Sequence, residues 1–536
     1  MLATALVILA AAPPLALLVA AALPSSLANR HPRTTRAWVT GLCAATLAAA
    51  VAAAGLLTVT GPVDRALLIA AAPLPLNLGI YFDSLTAVMF LLISAVGLVI
   101  ARFAIRGLDG EPGQGRFFKW LAFTVGAVLA MVVSRNLLMF TAAWMLTSLG
   151  LHQLLLQYPD RPWAVWAARK KFLVSRLGDA FLIAALGLTL WCFGSTDYAT
   201  VFAQAEALAA DGSLGWCGTA IGLCFVLGAM TKSAQVPFHS WLPDTMESPT
   251  PVSALMHAGI INAGGFLVIR LSPLISLSHL SLDLLAVVGA ITALCGGLVM
   301  LSQTSIKRSL AFSTVAQMGF MMLQCGLGAF SAALLHIVAH SAYKAHAFLS
   351  SGSVLEAAAR LKTDARPTVR GFAAVGLLPV AVAVAGGLCL TAFGVAGIDP
   401  LKKPGMAVLG PVLVIALTTL IWQGFVSGKI RIAVTGVAGA AGVAAAYVAG
   451  VTGFDQLLAA SSVARTVPSP SGVDLVVAGI VVAGFLAVFG IQSAATLLAR
   501  LPLVRALHVH AANGFYLDIP ARQITARFWG LTTPVP

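Results

Sequence analysis

Apolar stretches of about 20 residues recur along the whole of this 536-residue chain, and about 20 is the length an α-helix needs to cross a bilayer core. That pattern leaves few folds open. Within lipid every backbone N–H and C=O must be satisfied internally, and apolar runs this long do so as helices. The reading is an all-α polytopic membrane protein with about 14–15 transmembrane helices. Spans fall near 2–23, 37–58, 84–101, 117–134, 136–156, 172–192, 215–235, 250–271, 284–302, 309–328, 331–356, 371–393, 407–426, 432–451 and 473–498. Only 9% of residues are charged, against roughly 25% in soluble proteins, so most of the surface cannot face water. The first span lacks a basic leader, and Arg30, Arg33 and Arg36 follow it, so it reads as a retained helix.

The net charge of +14 would suit a nucleic-acid binder, but its distribution excludes that reading. With loops numbered from the first span, 24 of the 32 Lys and Arg fall in odd-numbered loops and the C-terminal tail, among them Arg161 to Arg176. Six fall in even-numbered loops, and Lys232 and Lys344 lie within spans. By the positive-inside rule the N-terminus is periplasmic and the C-terminus cytoplasmic, in a bacterial inner membrane. No nucleic acid is implied; the lipid bilayer is.

The seven cysteines show no CxxC pair and read as small packing residues. No Rossmann glycine fingerprint, P-loop or haem-attachment motif is present, so no cofactor and no metal site are expected on this chain.

Residues 1–498 read as a single transmembrane domain, with a repeated core at about 80–395. Residues 157–171 read as a Pro- and charge-rich surface connection, and 499–536 as an amphipathic cytoplasmic tail that lies on the membrane or docks a partner. Two blocks share a layout: a lysine near mid-membrane, with histidine and Pro or Gly punctuation close by. Transporters built from repeated helix sets place ion sites at such broken helices.

A lysine at the bilayer centre costs at least ~2.5–3.5 kcal/mol, unless it snorkels to the interface. The segment TKSAQVPFHSWLPDTMESPTPVSALMHAG holds Lys232 beside Pro237, then Pro243, Pro249 and Pro251, then His257 about two turns into the next helix. Irregular backbone at this depth must be buried in protein or line a wet cavity, where Lys232 and His257 can exchange a proton through water. His239, Asp244 and Glu247 lie nearer the cytoplasmic end, where a solvated loop explains them as well as function does. In HIVAHSAYKAHAF, His336, His340 and Lys344 are spaced by four and share one helical face over roughly 12 Å. Three aligned protonatable groups read as a proton wire; His346 falls off the stripe. Lys307 opens a later helix, as a path residue or a topology anchor. Arg176 and Asp179, at i,i+3, form a gating or structural ion pair, and Asp83 caps the third span.

These blocks, with IKRSLAFSTVAQMGF between them, resemble the antiporter-like membrane subunits of respiratory complex I and Mrp cation/proton antiporters over roughly residues 80–395. The resemblance implies two antiporter-like repeats with broken helices, conduit lysines at Lys232 and Lys344, and a hydrophilic axis through His257, His336 and His340. One departure stands out. The family carries a glutamate directly after a tryptophan in the fifth helix, whereas here Met145 follows Trp144. The segments LDGEPGQGRFFKWL, AWMLTSLGLHQLLLQYPDR and HVHAANGFYLDIPARQITARFW further resemble the DabB family, the membrane subunits of inorganic-carbon accumulation systems. That resemblance implies a DabA-like, zinc-containing, carbonic-anhydrase-like partner, with the zinc in the partner. This chain would be an ion-conducting subunit and not an enzyme. The alternative is a proton-pumping quinone-oxidoreductase subunit or an Mrp-type antiporter subunit.

Overall fold

The computed structural model describes residues 1–70, 76–211, 215–353, 372–399, 402–403, 405–463, 472–493 and 501–530. The chain opens with α1 (Leu2–Ala20), α2 (Ser25–Arg30) and α3 (Pro32–Thr60), then a hairpin of β1 (Val63–Ala70) and β2 (Leu76–Phe82). Next come α4 (Ser84–Gly107), α5 (Gln114–Val132), α6 (Leu137–Leu155), α7 (Pro162–Phe193), α8 (Tyr198–Asp211) and α9 (Gly215–Lys232). The centre holds α10 (Thr250–Ala258), α11 (Ala263–Arg270), α12 (Ser272–Ile275), α13 (His279–Ser302), α14 (Ile306–Gly326) and α15 (Phe330–Leu349). After it run α16 (Phe372–Gly376), α17 (Leu378–Val395), α18 (Met406–Val426), α19 (Ile430–Leu458), α20 (Gly472–Ser493), α21 (Pro502–Ala512) and α22 (Ile519–Trp529).

Thirteen of these stretches are long and apolar enough to cross a membrane, counting α10–α11 and α16–α17 as one each. Helices α14 and α15 have comparable length but carry the polar residues of the two later motifs. The molecule is a multi-pass membrane protein. Breaks fall where the sequence places Pro and Gly. Between α10 and α11 the chain passes through Gly259 and a short 3₁₀ turn, Ile260–Asn262. Leu377, ahead of Pro379, separates α16 from α17.

Residues Pro251–Arg270 are buried at every position, so this broken span is the axis around which the others pack. Helices α13 and α14 lie backbone to backbone: a Cβ on Gly289 or Gly296, or on Gly319 or Gly326 opposite, would run into main-chain atoms of the facing helix. Close approach through small residues is how helices pack where surrounding lipid removes any hydrophobic drive. By contrast α19 is largely exposed to whatever surrounds the chain.

Two sequence expectations need correction, and the helical fold carries one local strand pair besides. Among the described residues that pair is the antiparallel β1–β2 hairpin; Arg135 ties it down by pairing with Asp64 and with Asp197, the latter at 2.8 Å. Residues 162–171, read as surface connection, are the first turns of α7, which starts with Pro162 at N1, where a missing N–H costs nothing. Lys170 and Lys171 are therefore helical and buried, not loop charges. Cys192 and Cys217, read as packing residues, form a disulfide between the end of α7 and the start of α9.

Candidate functional site

Helix α9 stops at Lys232 because the next residues cannot continue it. Ala234 adopts φ 49°, the Val236–Pro237 peptide is cis, and the chain then makes two 3₁₀ turns, Phe238–Trp241 and Pro243–Glu247. A helix end leaves carbonyls unpaired, and here side chains serve them: Trp241 Nε1 donates to Thr231 O at 3.2 Å. The N–H of Val236 donates to Thr292 Oγ1 at 3.0 Å.

The Lys232 ammonium points into α6. Its three donors reach Trp144 O at 3.1 Å, Thr147 Oγ1 at 2.6 Å and Ser148 Oγ at 2.8 Å, and its nitrogen lies 4.4 Å from the centre of the Trp144 ring. Every acceptor is neutral. The site fills the hydrogen-bonding capacity of an ammonium without a carboxylate in contact, in keeping with Met145 at the position next to Trp144.

His257, in the last turn of α10, donates or accepts through Nδ1 with Thr314 Oγ1 at 2.9 Å and stacks on Phe348 at 4.2 Å. Its carbonyl meets His340 Nε2 at 3.2 Å. His340 and His336 have ring centres 5.9 Å apart, and His336 Nδ1 lies 3.0 Å from Gln324 Oε1. Lys344, fully buried on the same face, donates to Leu310 O at 3.0 Å. Polar steps bridge the two lysine regions: Ser233 Oγ donates to Ile261 O at 2.6 Å, and Asn262 Nδ2 donates to Ser341 Oγ at 2.8 Å. Among the described residues Gln235 Oε1, Asn262 Oδ1, His257 Nε2 and His336 Nε2 are buried without a protein hydrogen-bond partner. Buried polar atoms of this kind are rare unless water or a transported species meets them. The row opens at His336 and His340 into a cavity of about 490 Å³, also lined by Gln324 and Tyr447.

At the other end lies a charged cluster beneath the C-terminal helices. Lys170 is 1% exposed and donates to Ser240 O at 3.2 Å, to Asp244 at 3.0 Å and to Asp518, just ahead of α22. Arg522 pairs with the same Asp518. Burial favours the neutral Asp518 carboxyl, but the Lys170 and Arg522 charges outweigh it and hold the group below its usual range. His239 feels the same Asp518 charge, but burial outweighs it and pushes the imidazole down to about 4. His239, Asp244, Asp518 and Arg522 line a cavity of about 250 Å³ together with Arg308 and Tyr516.

The remaining expected residues sit elsewhere. Arg176 Nη2 is 2.6 Å from Asp179 Oδ2, and the carboxylate is buried toward Lys232 and Lys171. Lys307 lines a separate cavity of about 460 Å³ with Glu247 and Arg161, away from the buried row. Asp83 caps α4 through the Thr86 N–H at 2.9 Å and also grips Arg270 with both oxygens, at 2.7 and 2.8 Å. Lys170, Lys171 and Arg270 were unread as site residues because basic side chains at the ends of apolar runs look like topology signals. Among the described residues no group of three or more His, Cys, Asp or Glu is placed to hold a metal.

A broken helix ending on a buried lysine, followed by a histidine row, defines the class. The family model "NADH:quinone oxidoreductase/Mrp antiporter, TM" matches residues 134–401, and "NADH-Ubiquinone oxidoreductase (complex I), chain 5 N-terminus" matches 68–118. The Mrp complex from Dietzia sp. DQ12-45-1b shares the fold, with a TM-score of 0.59 and 21% identity over 96% of this chain and 61% of that one. Within the class the chain belongs to the DabB family. It is 40% identical to the probable inorganic carbon transporter subunit DabB2 of Halothiobacillus neapolitanus, over 86% of this chain and 84% of the relative. The corresponding DabB of Hydrogenovibrio crunogenus is 38% identical over 56% of this chain and 58% of the relative.

Proposed function

We propose that this chain conducts protons through the inner membrane as the membrane subunit of an inorganic-carbon accumulation complex. The observation that carries the reading is the row from Lys232 through His257 to the one helical face that bears Lys344, His340 and His336. It holds protonatable groups with no carboxylate in contact with either lysine, and polar atoms left for water to meet. An amine or imidazole that no fixed counter-ion pins can take up a proton and release it. In this reading Arg176–Asp179 gates the row, while Lys307, in its separate cavity with Glu247 and Arg161, is a topology anchor and not a member of the path.

Carbon dioxide hydration needs a metal-activated water, so that chemistry belongs to a zinc-containing, carbonic-anhydrase-like partner of the DabA kind. Ion flow here would bias the partner's access state. The N-terminus faces the periplasm, as the loop charges suggest. The Cys192–Cys217 disulfide, in an even-numbered loop, favours the same orientation because such bonds persist in oxidising compartments.

Co-expression of the chain with its zinc-protein partner should restore growth of a carbonic-anhydrase-deficient host in ambient air. Lys232→Ala or Lys344→Ala should abolish that growth at unchanged membrane levels. No rescue by the well-expressed pair, or rescue by both variants, sinks the proposal. The family match also admits a proton-pumping oxidoreductase or antiporter subunit, and copurification with quinone-reducing activity would establish that instead. Met145, in place of the acid such a subunit pairs with its lysine, weighs against it.

A further inference from the structure

Lys171 points into the same pocket as Lys232. It is 3% exposed, and its ammonium donates to the carbonyl oxygen of Ser148 at 2.6 Å, while Lys232 holds the hydroxyl of that same residue at 2.8 Å. Two ammonium-bearing chains, one from α7 and one from α9, thus converge on one serine of α6. The groups facing them are few: Thr147 and His152 from α6, Arg176 and Asp179 from α7. One carboxylate, already paired with Arg176 at 2.6 Å, cannot neutralise two further ammoniums. Like charges this close in a buried site disfavour double protonation.

We propose that Lys171 and Lys232 form a one-proton pair, in which Lys171 takes the place of the missing acid as the group that controls the charge of Lys232. A carboxylate partner would work by attraction and hold the proton on Lys232. A lysine partner works by repulsion: protonation of Lys171 drives the proton from Lys232 onward along the row. One N–H bond forms at Lys171, using that nitrogen's lone pair, as one breaks at Lys232, whose nitrogen regains its lone pair while the proton passes through water to the His257 imidazole; no oxidation state changes. Lys171 acts through Lys232 and is a positioning residue. The inference rests on the proposed conduction.

The test is the pH profile of proton flux through the full chain in lipid vesicles, for Lys171→Met and Lys171→Arg. Removing the charge should move the alkaline fall-off up by at least ~0.5 pH unit. Arginine, which keeps its charge throughout, should move it down. Reduced flux with an unmoved midpoint in both variants would make Lys171 merely structural and overturn the proposal. A second readout, the ¹⁵N resonance of the Lys232 side chain titrated in lipid and assigned with Lys232→Gln, does not depend on flux. Opposite shifts there in a non-conducting protein would sustain the pair while removing the conduction reading. Absent shifts in a conducting protein would remove the pair alone.

Discussion

Two buried cations in this protein are handled in opposite ways. Arg270 is 2% exposed and is gripped by both oxygens of Asp83, by Thr86 Oγ1 at 2.7 Å, and by the face of Tyr81. Lys232 is buried as well, yet its contacts are a carbonyl, two hydroxyls and an indole face. A guanidinium locked to a carboxylate keeps its charge and fixes geometry. An amine held by neutral groups has no such lock. Under the proposed conduction, the difference separates a charge kept for architecture from one that comes and goes.

The comparison can be broken at either end. The largest effect is expected at the architectural pair. Asp83→Ala strands the Arg270 charge and removes the α4 cap, for a loss of about 3–5 kcal/mol read as thermal unfolding and folded yield in detergent. The paired change Asp83→Leu with Arg270→Met should recover most of it; wild-type stability in the single variant would erase the contrast. Next, Lys232→Met should leave folding within ~1 kcal/mol while lowering vesicle proton flux ~100-fold or more. Unfolding by this variant would make Lys232 architectural too. The smallest effect concerns His239, kept neutral at about 4 by burial. An unfolded imidazole takes its proton near 6.5, so this contribution to stability is complete above that pH and is lost as pH falls toward 4. Between pH 6.5 and 5 the loss is about 2 kcal/mol at most, and His239→Gln should remove that share of the pH dependence of unfolding.

The helices were legible because an apolar run of bilayer length has one structural meaning, and Lys232 and Lys344 stood out as charges inside such runs. The i,i+4 spacing alone puts His336, His340 and Lys344 on one helical face. What the sequence hid was charge at the ends of runs. Lys170, Lys171 and Arg270 sit where snorkelling and topology explain a basic residue without further structure. Their burial depends on segments distant in the chain: Lys170 meets Asp518 some 348 residues on, and Arg270 meets Asp83 187 residues back. The β1–β2 hairpin was hidden for a related reason, since its anchor Arg135 belongs to the chain just ahead of α6. The Cys192–Cys217 bridge joins residues 25 apart with no motif to announce them.

That bridge limits how the protein can move. Helix α7 is 32 residues long, about 48 Å at 1.5 Å per residue, and it carries Lys171 and Asp179 alongside α9 with Lys232. Because Cys192 is fastened to Cys217, the two helices cannot slide lengthwise past one another at that end. Near the level of Lys232 the same two helices touch again, since a Cβ on Gly178 of α7 would strike Thr231 of α9, so the two lysine-bearing rods are pinned at two heights and not at one.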